Sequence, residues 1–333
     1  MDIAANGEAA GPQQEGLRYA TEGPKFDQIA ADSLPRDALI TDRYTGQEFT
    51  EREGIHSLDT WLHQVYERAI AADDRATVEL VDAFRANLVY IGSNELDTAI
   101  DNMAGHILEA VTAGRESYIY YANDRSERHI ALLLAERLST IISEVNTDLY
   151  DEIHMSRVDS VTAAKVASKG DKSVKIFVVD DFVLSGVRIR GAASNAVAEL
   201  VRQGIDEAEA VGIVEALVVA AKRAPESYEV SARHEDGDVA RYPLPMYAYY
   251  GAPQYTDGDG HYLVDSGASI TGSHCSTDYG FTSVVDQLHR KYPDINISGL
   301  PIQIQRPYDA PLGSSQASAY EARVAKAQRQ FPL

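Results

Sequence analysis

The stretch that decides the fold is KIFVVDDFVLSGVRIRG, at residues 175–191. It begins within an apolar run, VKIFVV, of the kind found in strands that are buried on both faces of a parallel sheet. Two adjacent carboxylates, Asp180 and Asp181, follow that run directly. Because ligands of open α/β sheets bind outside the carboxyl ends of the strands, the stretch predicts a binding site at this pair.

The residues after the two aspartates are suited to an anion. Ser185 offers a hydroxyl, Gly186 lets the backbone approach a ligand closely, and Arg188 or Arg190 offers a charge-assisted contact. A helix is predicted to follow, and the N–H groups of a helix N-terminus favour a phosphate. Carboxylates accept hydrogen bonds from vicinal hydroxyls and recruit Mg²⁺. These residues therefore predict a ligand with a sugar and a phosphate, with Mg²⁺ as cofactor.

Hydrophobic periodicity predicts the elements around this stretch. A helical period begins at Ser57, and after residue 113 strands alternate with helices. This alternation predicts an α/β fold in which a parallel sheet is flanked by helices. Helices are expected at 57–70, 75–90, 95–113, 129–145, 191–204 and 281–293, and strands at 117–122, 153–158, 174–179, 210–221 and 297–305.

Composition excludes several classes of protein. The formal net charge is −21, whereas a general nucleic-acid binder needs a basic face. No apolar run approaches the roughly 20 residues of a membrane span, and the N-terminus does not have the basic and apolar regions of a signal peptide. The single cysteine, Cys275, excludes an internal disulfide framework and a cysteine-rich zinc site. We therefore expect a cytoplasmic protein that binds neither nucleic acid nor membranes.

The sequence VVDDFVLSGVR, at residues 178–188, resembles the phosphoribosyl-pyrophosphate loop of type I phosphoribosyltransferases. In that family an apolar strand ends in two acidic residues, and a short apolar pair and a Thr-Thr-Gly-like turn follow. The resemblance implies that Asp180 and Asp181 are catalytic, contact the ribose 2- and 3-hydroxyls, and hold Mg²⁺ indirectly through the ribose or water. It also implies that the 5-phosphate is bound by Leu184, Ser185, Gly186, Val187 and Arg188.

This chain departs from the family pattern after the aspartates. Phe182 is bulkier than the usual aliphatic residue, Leu184 stands where a small hydroxyl residue is common, and Arg188 stands where Thr or Ser often helps to bind phosphate. The two aspartates therefore match the family more closely than the phosphate loop does.

A second loop resembles the diphosphate-binding loop that follows the first sheet strand in the same family. It lies in YIYYANDRSERH, at residues 118–129, between a predicted strand and a predicted helix. A helix N-terminus with Ser and Arg is suited to a diphosphate. The resemblance implies diphosphate contacts from Asn123, Asp124, Arg125, Ser126 and Arg128. It also implies a contact from Arg157, because the predicted strand 153–158 resembles the family's middle strand.

The segment GASITGSHCSTDYGF, at residues 267–281, and the helical N-terminal region resemble phosphoribosyltransferase-like proteins encoded near bacterial tellurium-resistance genes. In the wider family, residues outside the core sheet form a hood that selects the acceptor. We expect such a hood here, with acceptor contacts from His274, Asp278 and Tyr279. The Gly spacing of this segment mimics a nucleotide-binding P-loop, but Ser273 replaces the required Lys, so nucleoside triphosphate hydrolysis is rejected.

These patterns divide the chain into segments of different composition. The expected segments are a disordered tail (1–24), a helical N-terminal extension (25–113), a phosphoribosyltransferase-like core (114–225), a hood with a final strand (226–308) and a peripheral tail (309–333).

The function that these residues and the resemblance imply belongs to nucleotide metabolism. A 5-phosphoribosyl group would move from phosphoribosyl pyrophosphate to a small heterocyclic acceptor, with release of pyrophosphate. Two alternatives stay open: a hydrolase or lyase acting on a ribosyl phosphate or nucleotide, and a non-enzymatic sensor of phosphoribosyl pyrophosphate or a nucleotide. The partners would be these small molecules, and a homodimer through the helical extension also stays open.

Overall fold

The computed structural model describes residues 17–22, 39–41, 48–87, 89–91, 93–121, 125–156, 163–166, 173–183, 187–222, 229–233, 239–252, 255–256, 262–264, 268–272, 275–277, 281–296 and 315–332. The helices there are α1 (Glu51–Ala71), α2 (Arg75–Asn87), α3 (Ser93–Thr112), α4 (Arg125–Val145), α5 (Val187–Arg202), α6 (Glu207–Ile213), α7 (Phe281–Lys291) and α8 (Ser315–Gln330). A 3₁₀ helix covers Thr147–Glu152.

The strands of the same residues form one large parallel sheet and several small sheets. The strands are β1 (Leu17–Glu22), β2 (Leu39–Thr41), β3 (Glu48–Thr50), β4 (Val89–Ile91), β5 (Glu116–Tyr120), β6 (Ile153–Ser156), β7 (Val174–Val183), β8 (Val214–Lys222), β9 (Glu229–Arg233), β10 (Val239–Pro243), β11 (Met246–Ala252), β12 (Tyr255–Thr256), β13 (Tyr262–Val264), β14 (Ala268–Gly272) and β15 (Cys275–Thr277). The large sheet has the strand order β1-β11-β8-β7-β5-β6, and each of its pairings is parallel.

Helices cover both faces of the parallel sheet. Alternate residues of β7 point to opposite faces, and Phe177 and Val178 are both fully buried. Phe177 belongs to a core cluster with residues of α3, α4 and α8, whereas Val178 belongs to a second cluster with residues of α5 and α6. The predicted α/β fold, a parallel sheet flanked by helices, is confirmed.

The sheet includes segments that the sequence analysis placed outside it. The strand β11 lies within the expected hood, yet it pairs with β8 in the sheet. The strand β1 lies within the expected disordered tail, yet it pairs with β11 at the sheet edge. The tyrosines of β11 favour a strand, which is consistent with its place in the sheet.

Several predicted boundaries also move. The predicted strand 210–221 is a helix followed by a strand, because Asp206 caps α6: its Oδ1 accepts from the N–H groups of Ala208 at 3.0 Å and Glu209 at 3.3 Å. The helix α1 begins before Ser57, because Thr50 and Glu53 form a capping box there. The predicted strand at 297–305 lies outside the described residues.

The helices α1, α2 and α7 form a small apolar cluster of their own, which includes Trp61, Phe84 and Leu288. Asp74 joins α7 to the start of α2: its Oδ2 accepts from the Tyr292 hydroxyl at 2.8 Å and lies 2.5 Å from the Lys291 Nζ. The hydrogen bond from Lys291, with others from nearby hydroxyls, holds the pKa of Asp74 well below its usual range.

The C-terminal helix α8 packs into the main core and is not a peripheral tail. Its buried side chains recur at helical spacing and join the cluster of α3 and α4. The Arg323 guanidinium donates to both carboxylate oxygens of Glu136 on α4, at 2.8 and 2.6 Å. The backbone N–H of Met155 on β6 donates to the Phe331 carbonyl at 3.1 Å. The buried residues are Tyr320, Val324, Ala327 and Phe331.

A buried polar group ties the end of this segment to β5 and β6. Glu116 Oε1 accepts from the Tyr118 hydroxyl at 3.0 Å and lies 2.6 Å from the Nε2 of His154. The Nδ1 of His154 donates to the Pro332 carbonyl, because a carbonyl oxygen can only accept a hydrogen bond. The pKa of Tyr118 is raised, mainly by burial and to a lesser extent by the Glu116 carboxylate.

We expect Phe331→Ala to lower the free energy of unfolding by about 3–5 kcal/mol, because the substitution empties a fully buried site. Urea denaturation followed by circular dichroism measures this loss. The control is Lys326→Ala, at an exposed position of the same helix, which should change stability by less than about 0.5 kcal/mol. Equal effects of the two substitutions would contradict the assignment of α8 to the core.

Candidate functional site

The strand order places a topological switch point between β5 and β7. From β5 onward, the strands appear in the sheet as second, first, third, fourth and fifth along the chain, where β6 is the second and β11 the fifth. At such a point the connections leave the sheet in opposite directions and open a crevice at the carboxyl ends of the strands. The chain leaving β5 leads to α4, and the chain leaving β7 leads to α5. The two predicted ligand loops therefore leave neighbouring strands at the same edge.

The two aspartates lie in β7, beyond the point where β5 ends. Pairing between β5 and β7 stops at Tyr120 and Val178, whereas pairing between β7 and β8 continues to Val183. The strand therefore extends past its predicted end at residue 179. Asp180 and Asp181 are 1% and 0% exposed, and the Asp181 N–H donates to the Asp180 Oδ1 at 2.9 Å.

Arg188, in the first turn of α5, faces this acidic pair. Its Nη2 lies 3.7 Å from the Oδ1 of Asp180 and 3.9 Å from the Oδ1 of Asp181. Burying two carboxylates side by side is costly unless a cation compensates them, and this guanidinium supplies a positive charge to both. The phosphate contact of Arg188 stays a prediction, and in this structure its side chain lies near the two carboxylates.

The remaining predicted phosphate residues are only partly described. Leu184, Ser185 and Gly186 lie outside the described residues, and Val187 is the first residue of α5. This helix begins four residues earlier than the predicted start at residue 191. Its N-terminus is therefore closer to the aspartates along the chain than the sequence indicated.

The predicted diphosphate loop leads directly into α4. Arg125 and Ser126 open this helix, while Asn123, Asp124 and Arg157 lie outside the described residues. Arg128 is the fourth residue of α4 and forms a bidentate ion pair with Glu321 of α8: its Nη1 and Nη2 donate to the carboxylate at 2.9 and 2.7 Å.

The C-terminal helix therefore reaches the neighbourhood of the predicted diphosphate loop. The Arg128 guanidinium also lies 5.7 Å from the ring centroid of Tyr320. Burial opposes its charge, but the Glu321 carboxylate outweighs that effect and raises the pKa of Arg128. Gln328 donates to the Tyr121 hydroxyl at 2.9 Å, just after the end of β5.

Sequence reasoning missed these residues of α8. Their partners Arg128 and Tyr121 lie 193 and 207 positions earlier in the sequence, so no local sequence pattern connects the paired residues. The available signal was the helical spacing of the apolar residues of α8, which indicates a helix face that packs on the rest of the protein.

The predicted acceptor residues His274, Asp278 and Tyr279 lie outside the described residues. The strands beside them are described: β14 pairs with β15 in an antiparallel fashion and with β4 in a parallel fashion. This part of the expected hood is therefore attached to the strand that precedes α3, and not to the main sheet.

The acidic pair supplies oxygen ligands of the kind that Mg²⁺ prefers. Within the described residues, no group of three or more His, Cys, Asp or Glu side chains is arranged to hold a metal ion. Mg²⁺ usually keeps several waters and shares its sites with substrate phosphates, so two carboxylates fit a cation that arrives with a phosphorylated ligand.

A second charged cluster lies at the opposite edge of the sheet. The Glu215 carboxylate, at the start of β8, lies 3.0 Å from the Nε2 of His106 and 3.2 Å from the Nζ of Lys175. Burial alone would raise the pKa of Glu215, but the hydrogen bond from His106 and the charge of Lys175 outweigh it and lower the pKa. Because these groups satisfy one another near the amino ends of the strands, we interpret the cluster as structural.

Comparisons with known proteins add little to the geometry. No family model matches the chain, and no curated protein matches it. Among solved structures, the chain is similar to a hypoxanthine-guanine phosphoribosyltransferase from Schistosoma mansoni in complex with IMP. The similarity has a TM-score of 0.31 and 14% sequence identity, and covers 49% of this chain and 67% of that chain. A similarity at this level establishes neither family nor function.

None of the described helices has the length and apolarity needed to cross a bilayer.

We expect Glu215→Gln to lower stability at pH 7 by about 1–3 kcal/mol, because the charged hydrogen bonds of this carboxylate are lost. The folded pKa of Glu215 is lowered, so its contribution is present above the unfolded pKa and is lost as pH falls through the folded value. Urea denaturation at pH 7 and pH 3 should therefore show a larger difference from wild type at pH 7. Glu144→Gln, at an exposed position of α4, is the control. A difference independent of pH would contradict the assigned role of Glu215.

Proposed function

We propose that this protein is a phosphoribosyltransferase. It would move a 5-phosphoribosyl group from phosphoribosyl pyrophosphate to a small heterocyclic acceptor and release pyrophosphate. The observation that supports this best is the pair of buried carboxylates at the carboxyl end of β7, beside the switch point and the N-terminus of α5. A cytoplasmic location and a homodimer remain predictions.

In the proposed complex, three parts of the sheet's carboxyl edge bind the ribose, the 5-phosphate and the diphosphate of the ligand. Asp180 and Asp181 accept hydrogen bonds from the ribose hydroxyls, and the segment 184–188 with the N-terminus of α5 binds the 5-phosphate. The segment 123–128 with the N-terminus of α4 binds the diphosphate. The parallel pairing of β5 and β7 supports this division, because it makes the two loops neighbours.

The proposed reaction breaks the bond between C1 of the ribose and the diphosphate oxygen, which leaves with the bonding electrons, and forms a bond from C1 to a ring nitrogen of the acceptor. An acidic heterocycle supplies that nitrogen already deprotonated, its proton having gone to solvent, so no general base is needed. Positive charge develops on the ribose and negative charge on the leaving diphosphate. Buried carboxylates beside the ribose stabilise the former, and arginines and helix N-termini stabilise the latter. Mg²⁺, when bound with the diphosphate, would add further neutralisation of that charge. The remaining task of the chain is to position donor and acceptor.

A non-enzymatic sensor is the second candidate. The observation that favours it is that Arg188 and Arg128, which are expected to bind ligand phosphates, both face carboxylates in this structure. In a protein that only senses the ligand, the exchange of these carboxylate contacts for ligand phosphates would produce the response, and no acceptor would be needed. Release of pyrophosphate in the presence of a broad panel of heterocyclic acceptors separates the two functions, because a sensor releases none.

We expect the double substitution Asp180→Asn and Asp181→Asn to abolish binding of phosphoribosyl pyrophosphate with Mg²⁺, measured by calorimetry. Amides cannot supply the negative charge that holds the sugar hydroxyls and the cation. Asp151→Asn changes the same chemical group at an exposed position and should leave the affinity unchanged. Retained affinity in the double variant, with the fold intact by circular dichroism, would refute the role of the pair. Absence of binding to the wild-type protein would refute both candidate functions.

The diphosphate arm of the site has its own matched pair of substitutions. Arg128 and Arg323 both form bidentate pairs between α4 and α8, but only Arg128 lies in the N-terminal part of α4. We expect Arg128→Met to weaken binding of inorganic pyrophosphate about tenfold or more, since a charge-assisted contact is worth roughly 1.5–3 kcal/mol. Arg323→Met should leave that affinity unchanged, although both variants lose a similar interhelical contact. Equal effects on pyrophosphate affinity, measured by calorimetry, would show that Arg128 serves only to hold α8.

A further inference from the structure

Arg188 lies where it can serve two different parts of the proposed ligand. It is the second residue of α5, so its backbone belongs to the helix N-terminus that is expected to receive the phosphate. Its side chain is 38% exposed and extends to Asp180 and Asp181, which are almost completely buried. The same guanidinium therefore connects the predicted phosphate site with the predicted sugar and cation site.

The contacts between this guanidinium and the acids are loose. The distances from Nη2 to the two Oδ1 atoms, 3.7 and 3.9 Å, are longer than hydrogen bonds. Arg188 thus neutralises the pair by proximity at these atoms. A phosphate offers a guanidinium two parallel charge-assisted hydrogen bonds, which are shorter and stronger. A phosphate bound at the start of α5 would therefore compete well for Arg188.

We propose that Arg188 is a shared cation that couples the two parts of the site. In the ligand-free protein it compensates Asp180 and Asp181. When the ligand phosphate binds, Arg188 moves to the phosphate, and the carboxylates then accept a divalent cation and the sugar hydroxyls. This inference rests on the proposed function, and it adds that phosphate and divalent cation bind with positive coupling through one positioning residue.

Thermodynamic linkage makes the coupling reciprocal and measurable. If phosphate binding removes Arg188 from the acids, it raises their affinity for a cation, and the cation raises the affinity for the phosphate by the same factor. If Arg188 is instead a fixed structural ion pair, the two affinities are independent. The two cases differ in a binding measurement that needs no catalytic activity.

The experiment measures Mn²⁺ affinity by electron paramagnetic resonance of the free ion, with and without saturating ribose 5-phosphate. For the wild-type protein we expect ribose 5-phosphate to raise the Mn²⁺ affinity about tenfold, within the roughly 5- to 150-fold range of typical coupled sites. For Arg188→Gln we expect tighter Mn²⁺ binding than wild type in the absence of the sugar phosphate, because the competing cation is gone. Added ribose 5-phosphate should then produce little further increase.

Arg202→Gln is the matched control, since it removes the same charge from the opposite end of α5, at an exposed position. This variant should keep the wild-type coupling. Coupling that persists in Arg188→Gln would overturn the inference, because it would show that the sugar phosphate binds Mn²⁺ directly. Arg188→Gln also leaves two buried carboxylates without this partner, so thermal unfolding is measured first. If that variant does not fold, absence of coupling in the wild-type protein still overturns the inference. Arg188→Lys then replaces Arg188→Gln: it keeps the charge but cannot form two parallel hydrogen bonds to a phosphate, so the coupling should fall below that of wild type, and unchanged coupling would overturn the inference.

The wild-type result also separates this inference from the proposed function. Binding of both Mn²⁺ and ribose 5-phosphate without coupling would leave the proposed function standing and overturn the shared role of Arg188. Binding of neither probe would overturn both. Coupled binding that Arg188→Gln removes and Arg202→Gln retains would support the inference.

Discussion

The constraint on which this site depends is the burial of two adjacent carboxylates at the end of β7. Successive residues of a strand point to opposite faces, so Asp180 shares its side with Val178 and Asp181 shares its side with Val179. Both faces are covered by helices, and neither side chain reaches bulk water. Removing the compensation from such buried charges costs several kcal/mol. The start of α5 lies close enough to bring the Arg188 Nη2 to 3.7 and 3.9 Å from the Oδ1 atoms of the two carboxylates.

The C-terminal helix extends this arrangement to the neighbouring strand. It runs beside α4, where its Glu321 contacts Arg128, and its Gln328 contacts Tyr121, which follows β5. The free energy that holds it comes mainly from buried apolar side chains, because partly exposed ion pairs contribute about 1 kcal/mol or less. The ion pairs instead fix the register of α8 along α4. Residues of α8 consequently contribute to the surroundings of residues at the end of β5 and in the first turn of α4.

Hydrophobic pattern predicted the elements whose signal is local. The continuous apolar run of β7 and the strong helical periods of α4 and α5 identified the centre of the fold, and the aspartates with them. The pattern failed for β1 and β11, because each joins the sheet through pairing with strands that lie far away in sequence. It also failed for Glu321, since an exposed acidic residue on a helix carries no sign of which arginine it will meet.

The presence of arginine at position 188, where the phosphoribosyltransferases that this stretch resembles often have Thr or Ser, has a physical explanation in this chain. A small hydroxyl at that position can bind a phosphate, but it cannot compensate the charge of two buried carboxylates. With a net charge of −21, the protein as a whole repels an anionic ligand, so positive charge must be concentrated where such a ligand binds. Arg128 and Arg188 lie in the first turns of helices that begin at the carboxyl edge of the sheet, where the helix dipoles add to the same field. Each of them faces carboxylates in this structure. The positive charge at this edge is therefore compensated, and under the proposed function the ligand phosphates would displace these carboxylates.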